Sequence, residues 1–316
     1  PVMPANDGHN GHGDARAFSG AAAVEGAGPE AGSSPGGGAG AQREGKRKTP
    51  WGLLIVALLF VIVPFLTWYG TSFWRTLSDS QVDEYLRDTR DQRHVQHALE
   101  EIDRRVVKGD AGARRWYPRV VEISGDQATD LRLAAAWVMG DDNREQSFHD
   151  ALVRLLNDQE PSVRRMAALS LTRFNDAGGR GELVAMLRDY SVRAGVGGKV
   201  LTVLPAGSNV SRQTMIARVR DDAGEVREVR SPLAGRVEKV SAGEGADVRP
   251  DDELLVLAPD PENVLQSLRA LYLVGSNEEL SEVDRYARGV AGMPADVQKQ
   301  AALSAEAIKR RAGKSS

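Results

Sequence analysis

A stretch of about thirty residues occurs twice in succession, and this constrains the fold more than any other feature of the chain. DLRLAAAWVMGDDNREQSFHDALVRLLND, Asp130 to Asp158, is echoed by SVRRMAALSLTRFNDAGGRGELVAMLRDY, Ser162 to Tyr190. Arg132 falls on Arg164, Ala135 on Ala167 and Ala136 on Ala168, a shift of about 32 residues, which suits a repeating pair of helices. The small residues let neighbouring helices approach closely. Leu152, Val153, Leu155 and Leu156 supply an apolar stripe on the second helix. A helix pair with such a stripe cannot bury it alone, so each copy requires neighbours.

The connection between the copies carries the matching local chemistry. Asp158-Gln159-Glu160-Pro161-Ser162-Val163-Arg164 reads as a helix stop followed by a helix start, with Pro161 placed where its missing N–H costs little. Upstream, HVQHALEEIDRRVV and ARRWYPRVVEI have helical spacing. Downstream, VLQSLRALYLVG and VQKQAALSAEAIKRR do as well. The opening DQEPSVRRMAALSL resembles HEAT repeats, whose second helix starts on a D-x-x-P-x-V-R-x-x-A-A-x-A-L pattern. The resemblance covers Val95–Tyr190 and, more loosely, Asn263–Ala312, and it implies an α-solenoid.

Between Ser191 and Pro259 the periodicity changes to short strands punctuated by glycine and proline. Two half-motifs lie there, Gly197–Val219 and Ala234–Leu257. Gly198 corresponds to Gly235, Gly207 to Gly245, Val210 to Val248 and Ile216 to Leu254. This internal duplication, joined through VRSPLAG, resembles the biotinyl/lipoyl-like barrel-sandwich fold of two interlocked halves. Members of that family that are modified carry a lysine at a hairpin tip about six residues before the position of Arg230. Here that position is Gly224, and no lysine lies between Lys199 and Lys239, so neither biotin nor lipoate is expected. The same fold in membrane-fusion adaptors of efflux and secretion systems implies a second role, although those have a long helical hairpin between the halves where this chain has about ten residues. The module is expected either to cap the exposed end of the repeat stack or to bind a partner.

The remaining strong signal is WGLLIVALLFVIVPFLTWY, Trp51 to Tyr69, which has no charged residue and is long enough for a helix to cross the ~30 Å hydrocarbon core of a bilayer. Trp51 at one end and Trp68, Tyr69, Phe73 and Trp74 at the other suit the two interfaces. Bulky residues where a signal peptide would have a small-residue cleavage site predict a retained anchor, with a mild kink at Pro64. Arg43, Lys46, Arg47 and Lys48 precede it and only Arg75 follows before Arg87. The amino terminus is therefore expected in the cytoplasm, and everything after Trp74 outside it, in the periplasm if the source is bacterial. Residues before about Gln42 are Gly, Ala, Ser and Pro with one aromatic, Phe18, a composition that cannot offset its ordering entropy. His9 and His12 lie in that tail and are read as incidental.

Five regions follow from these patterns: a Gly/Ala-rich tail, 1–50; a transmembrane helix and interfacial belt, 51–74; HEAT-like helices, 75–190; a barrel-sandwich domain, 191–260; and further HEAT-like helices with a basic end, 261–316. The fold class is mainly α, a solenoid interrupted by a small all-β insert. The two helical regions are expected to pack together across the insert, with the Leu265, Leu268, Leu271 and Tyr272 stripe on the Leu183–Leu187 face, since about three repeats are needed for a continuous core.

Composition limits the chemistry. A net charge of -3 gives no general attraction to nucleic acid, and the absence of cysteine closes disulfide, thiolate-zinc and thiol-nucleophile routes. His94 and His97 share a helical face but lack a completing carboxylate–histidine motif. His149 could pair with Asp150 or with a serine elsewhere, yet no nucleophile elbow or triad signature accompanies it. The adjacent Asp141 and Asp142 are expected to be solvated in a repeat turn. The stretches starting at Gly178 and Gly195 lack a nucleotide-binding frame and read as linkers bounding the insert. Lys309–Lys314 reads as a solvated basic end. No residue is assigned as catalytic, cofactor-binding or metal-ligating. The expected function is a membrane-anchored, non-catalytic scaffold for protein partners, with no cofactor and no enzymatic activity. The alternatives are the transporter adaptor and, since some HEAT-like proteins are chromophore lyases, a related enzyme.

Overall fold

The computed structural model describes residues 76–88 and 90–313. The Gly/Ala-rich tail and the Trp51–Tyr69 segment with its flanking residues lie outside the described residues. Among those described, no helix is long and apolar enough to cross a membrane.

Among the described residues seven α-helices precede the strands. They are α1 (Asp79–Arg87), α2 (Gln92–Val107), α3 (Tyr117–Ile123), α4 (Thr129–Met139), α5 (Gln146–Leu155), α6 (Pro161–Arg173) and α7 (Arg180–Ala185). ARRWYPRVVEI is not one continuous α-helix, because Ala111–Trp116 forms a 3₁₀ turn leading into α3 and Pro118 occupies the first turn of α3. Start signals are local and chemical. Ser78 and Gln81 form a reciprocal capping box on α1. Pro161 opens α6 and Pro261 opens the first helix after the strands, where a missing N–H is harmless.

The eight strands are β1 (Tyr190–Arg193), β2 (Gly198–Val203), β3 (Asn209–Val210), β4 (Met215–Arg220), β5 (Val226–Arg230), β6 (Gly235–Val240), β7 (Asp247–Val248) and β8 (Glu253–Pro259). They form two four-stranded antiparallel sheets, ordered β1-β8-β6-β3 and β5-β4-β2-β7. Each half of the duplication supplies strands to both sheets. The bonds that interlock the halves are themselves duplicated. Gly207 N–H donates to the Val237 carbonyl at 2.7 Å, and Gly245 N–H to that of Val200 at 2.8 Å. In return Val237 N–H donates to Ser208 at 2.8 Å and Val200 N–H to Ala246 at 2.9 Å. Gly207 and Gly245 both have positive φ, at 89° and 84°, which a side chain would strain. A Cβ at Gly198 would overlap the Arg220 carbonyl oxygen, and one at Gly235 would overlap that of Ala258.

Among the described residues three helices follow the strands, α8 (Pro261–Val274), α9 (Leu280–Ala287) and α10 (Ala295–Ala312). Helix packing runs α2, α4, α6, α8, α10 in one layer, each helix on the next, with α3, α5, α7 and α9 contributing to a second. The stack therefore passes over the insert. One core joins Ala168, Leu183, Met186 and Leu187 before it to Val264, Leu265, Leu268, Leu271, Val283, Tyr286, Ala301 and Ile308 after it. Buried hydroxyls cross the same seam: Ser267 donates to the Leu183 carbonyl at 2.6 Å and Tyr286 to that of Leu187 at 2.7 Å. Tyr272 departs from the expected stripe. It is 39% exposed, because α8 turns Leu265, Leu268 and Leu271 inward and leaves the next position on its outer edge.

The small residues behave as their spacing implies. Ala135, Ala136, Ala167 and Ala168 are fully buried. Gly179 lies so near α6 that a Cβ would sit 2.7 Å from Ala168 Cα. That corrects the reading of GGRG as a linker bounding the insert, since it starts α7 inside the second repeat. Gly195, at φ 70°, sits in the turn between β1 and β2 and is part of the module. The module also does not cap the end of the stack, because α8 to α10 continue the solenoid beyond it.

Candidate functional site

The loops joining the repeats carry a ladder of charge. Arg132, from α4, makes a two-pronged contact with Asp158 at 2.7 and 2.9 Å, and also donates to the carbonyls of Asp126 and Gln127. One repeat later Arg164 donates to Glu182 at 2.6 Å and to the carbonyls of Asp158 and Gln159. Each arginine thus ties its own loop to the following repeat, which is why the two occupy equivalent positions. Burial works to raise the Asp158 carboxyl, but the Arg132 guanidinium and the Glu160 N–H outweigh it and hold the group below its ordinary pKa.

The residues weighed for chemistry are engaged in similar bridges. His94 Nδ1 lies 2.8 Å from Asp88 Oδ2, and its ring stacks on Tyr85 at 4.3 Å; His97 flanks the same tyrosine at 6.0 Å. His149 finds its main partner 27 residues downstream, with Nε2 2.6 Å from Asp176 Oδ2, while Asp150 is at 3.5 Å. The bond to Asp176 raises the His149 pKa. The Gly178 N–H and His149 lower that of Asp176. Asp141 and Asp142 are not solvated as their position in a turn suggested. Asp141 pairs with Arg173 from the next repeat, and Asp142 accepts from the Tyr117 hydroxyl of the previous one at 3.0 Å. Burial and that bond to Asp142 push the tyrosine up to about 12. Among the described residues no group of three or more histidine or acidic side chains is arranged to hold a metal ion.

The hairpin between β4 and β5 places Gly224 at its tip. Asp221 organises the turn: its carboxylate accepts from the N–H groups of Ala223 and Glu225, and its carbonyl from Gly224. Gly224 has φ 84°, and a Cβ there would meet nothing. The tip has space for a side chain but no amine. Its neighbours Asp221, Asp222 and Glu225 make it acidic.

Two cavities adjoin the module. The larger, about 1000 Å³, lies between the β3 and β6 side of one sheet and the α9–α10 connection, with Arg236, Glu238, Arg285, Val290 and Met293 on its walls. The smaller, about 340 Å³, lies where β1 and the end of β5 face Glu160 of the repeats. Arg165 is buried beside it, with its guanidinium 5.8 Å from the Tyr190 ring and Nη2 3.3 Å from the Ala185 carbonyl. Nothing in the sequence pointed to either cavity, because each is made by residues about fifty to a hundred positions apart.

A family model described as HEAT repeats matches residues 117–196, the interval from α3 to just past β1. No curated protein matches the chain. Among solved structures, a single-chain, multi-domain long-chain acyl-CoA carboxylase is 22% identical over 33% of this chain, with a TM-score of 0.22. The match spans 10% of that carboxylase chain. An engineered protein is 15% identical, the match covering 72% of this chain and 79% of that one with a TM-score of 0.39.

Proposed function

We propose that this chain is a membrane-anchored, non-catalytic adaptor that binds protein partners. In this reading the helix over 51–69 is the anchor, the amino terminus is cytoplasmic, and the solenoid and β module stand on the other side of the membrane. The observation that carries it is the manner of display: a β module with its own core is held on an uninterrupted helical stack by two adjacent strands. HEAT repeats generally serve as protein-interaction scaffolds. The histidines and acids that could have done chemistry are spent on bonds between repeats, as His149 with Asp176 and Asp141 with Arg173 illustrate. The missing lysine at the hairpin tip supports reading the module as a binding body and not a cofactor arm.

The reading is tested by isolating the whole chain from its native membranes in mild detergent, beside a version lacking 190–259. An adaptor retains a protein partner in near-stoichiometric amount, and loses it with the module while the helical part stays folded. A partner-free chain that turns over a small molecule would overturn the reading. A cytoplasm-dependent reporter fused to the carboxyl terminus tests the orientation separately, and strong activity there would reverse it.

A further inference from the structure

The β module is mounted on the solenoid by few points. Its core, which includes Val200, Ile216, Val219, Val237, Leu254 and Leu257, contains no helical residue. The chain enters it at β1 and leaves it at β8, and these strands are paired neighbours with Tyr190 opposite Leu257. Both tethers therefore lie on one side, as in a two-strand hinge. The Arg165 guanidinium beneath the Tyr190 ring fixes that end.

Away from the tethers one polar contact holds the module to the repeats. Arg212, in the turn between β3 and β4, reaches the Asp130 carboxylate in the first turn of α4, 82 residues earlier. Among the described residues it is the one ion pair between the module and the helices. The cavities lie to either side of it: Ser211 lines the larger and Gln213 the smaller. The two side chains are 27% and 45% exposed, and an ion pair this open to water shifts an equilibrium by no more than about fivefold.

We propose that the module is a hinged arm latched by Arg212 and Asp130, swinging about its Tyr190 and Pro259 tethers so that one cavity narrows as the other widens. A module whose core contains no helical residue keeps its fold through such a motion. Losing a latch worth at most fivefold shifts the balance between the latched and released arrangements by no more than that factor. The inference does not depend on the adaptor reading, since it concerns only how the module is attached.

The chain has no cysteine, so a pair of introduced cysteines can be spin-labelled uniquely. One pair, Glu244→Cys with Lys299→Cys, spans the module and α10; a control pair, Arg154→Cys with Lys299→Cys, lies wholly on helices. Distance distributions are measured by pulsed electron resonance on the 316-residue chain in detergent. A hinged arm gives the module pair a major and a minor distance. Asp130→Ala, Arg212→Ala and high salt each raise the minor one by up to about fivefold, since salt screens exposed charges. The exchanged pair Asp130→Arg with Arg212→Asp restores the major one, and the control pair stays unchanged throughout. A single module distance insensitive to salt and to both substitutions would overturn the proposal, and the salt arm needs no change to the latch itself. A control pair that broadens with the module pair would also overturn it, because the solenoid would then be what moves.

Discussion

Leu268→Ala tests whether the helices on either side of the β module form one cooperative body. Leu268 is fully buried on α8, in the cluster that holds Leu183, Met186 and Leu187 of the upstream repeats and Ala301 and Ala305 of α10. Its carbonyl also accepts the Ser304 hydroxyl at 2.7 Å, a bond that the substitution leaves in place. The cost is therefore lost packing and a cavity, about 2–5 kcal/mol for a leucine truncated in a closed core. In a body of this size each kcal/mol moves the midpoint by roughly 2–4 °C, so the expected drop is about 4–20 °C.

The assay can be placed far from the perturbation. Of the five tryptophans, Trp116 and Trp137 belong to the upstream repeats and none follows them. With Trp51, Trp68 and Trp74 changed to phenylalanine, fluorescence reports only the region before the insert. One cooperative solenoid shows the fluorescence midpoint falling together with the helical circular-dichroism signal, in a single transition. A fluorescence transition that stays put while a second, downstream transition moves would refute the reasoning. The helices after the insert would then be a separate domain.

Three further outcomes are expected. Intact-mass measurement gives the unmodified chain mass, because Gly224 occupies the hairpin tip; an increment localised to 190–259 would contradict this. Asp158→Ala lowers stability by about 1–3 kcal/mol in chemical denaturation, since it takes the carboxylate from a partly buried Arg132 guanidinium that keeps its two carbonyl partners; a change below about 0.5 kcal/mol would mean that those carbonyls alone satisfy the arginine. His149→Gln destabilises more near pH 5.5 than near pH 8.5. His149 is raised in the folded chain, so its contribution is complete below its unfolded pKa and is lost as pH rises through the folded value; Asp176 is lowered, so its contribution is lost only when pH falls through its own depressed value. An equal effect at both pH values would show that the pair contributes packing and not charge.

The parts legible in the sequence are those in which one residue does two local jobs. Arg132 and Arg164 recur at one spacing because each binds the loop five and six residues before it as well as the next repeat, so the loop and the repeat carry the same mark. The alanines recur because helices meet there. What stayed hidden depends on partners supplied by other repeats. Asp141 and Asp142 look like a wet turn until Arg173 and Tyr117 arrive from either side, and His149 looks free until the following repeat brings Asp176. Gly179 reads as a linker residue because its function, letting Ala168 come close, leaves no trace in the residues beside it.

The insert itself follows from the duplication within it. A flexible loop of about 70 residues between α7 and α8 would cost roughly 4 kcal/mol in closure entropy, against a docking seam that must also order both helices. The module removes that cost by folding. Tyr190 and Leu257 come to face each other as partners on β1 and β8, so the ends are brought together by bonds internal to the insert. Those bonds are secure because the two halves satisfy one another: Gly207 and Gly245 exchange equivalent bonds with Val237 and Val200, and both sheets draw strands from both halves. The module thus completes its core without borrowing a helical residue, and the helices complete theirs without borrowing a strand. Ser267 can then reach Leu183, 84 residues away, as directly as Ser304 reaches Leu268 with no insert between them. A self-sufficient insert leaves the solenoid continuous, and beyond its two tethers the Arg212–Asp130 pair is, among the described residues, the ion pair that joins it to the helices.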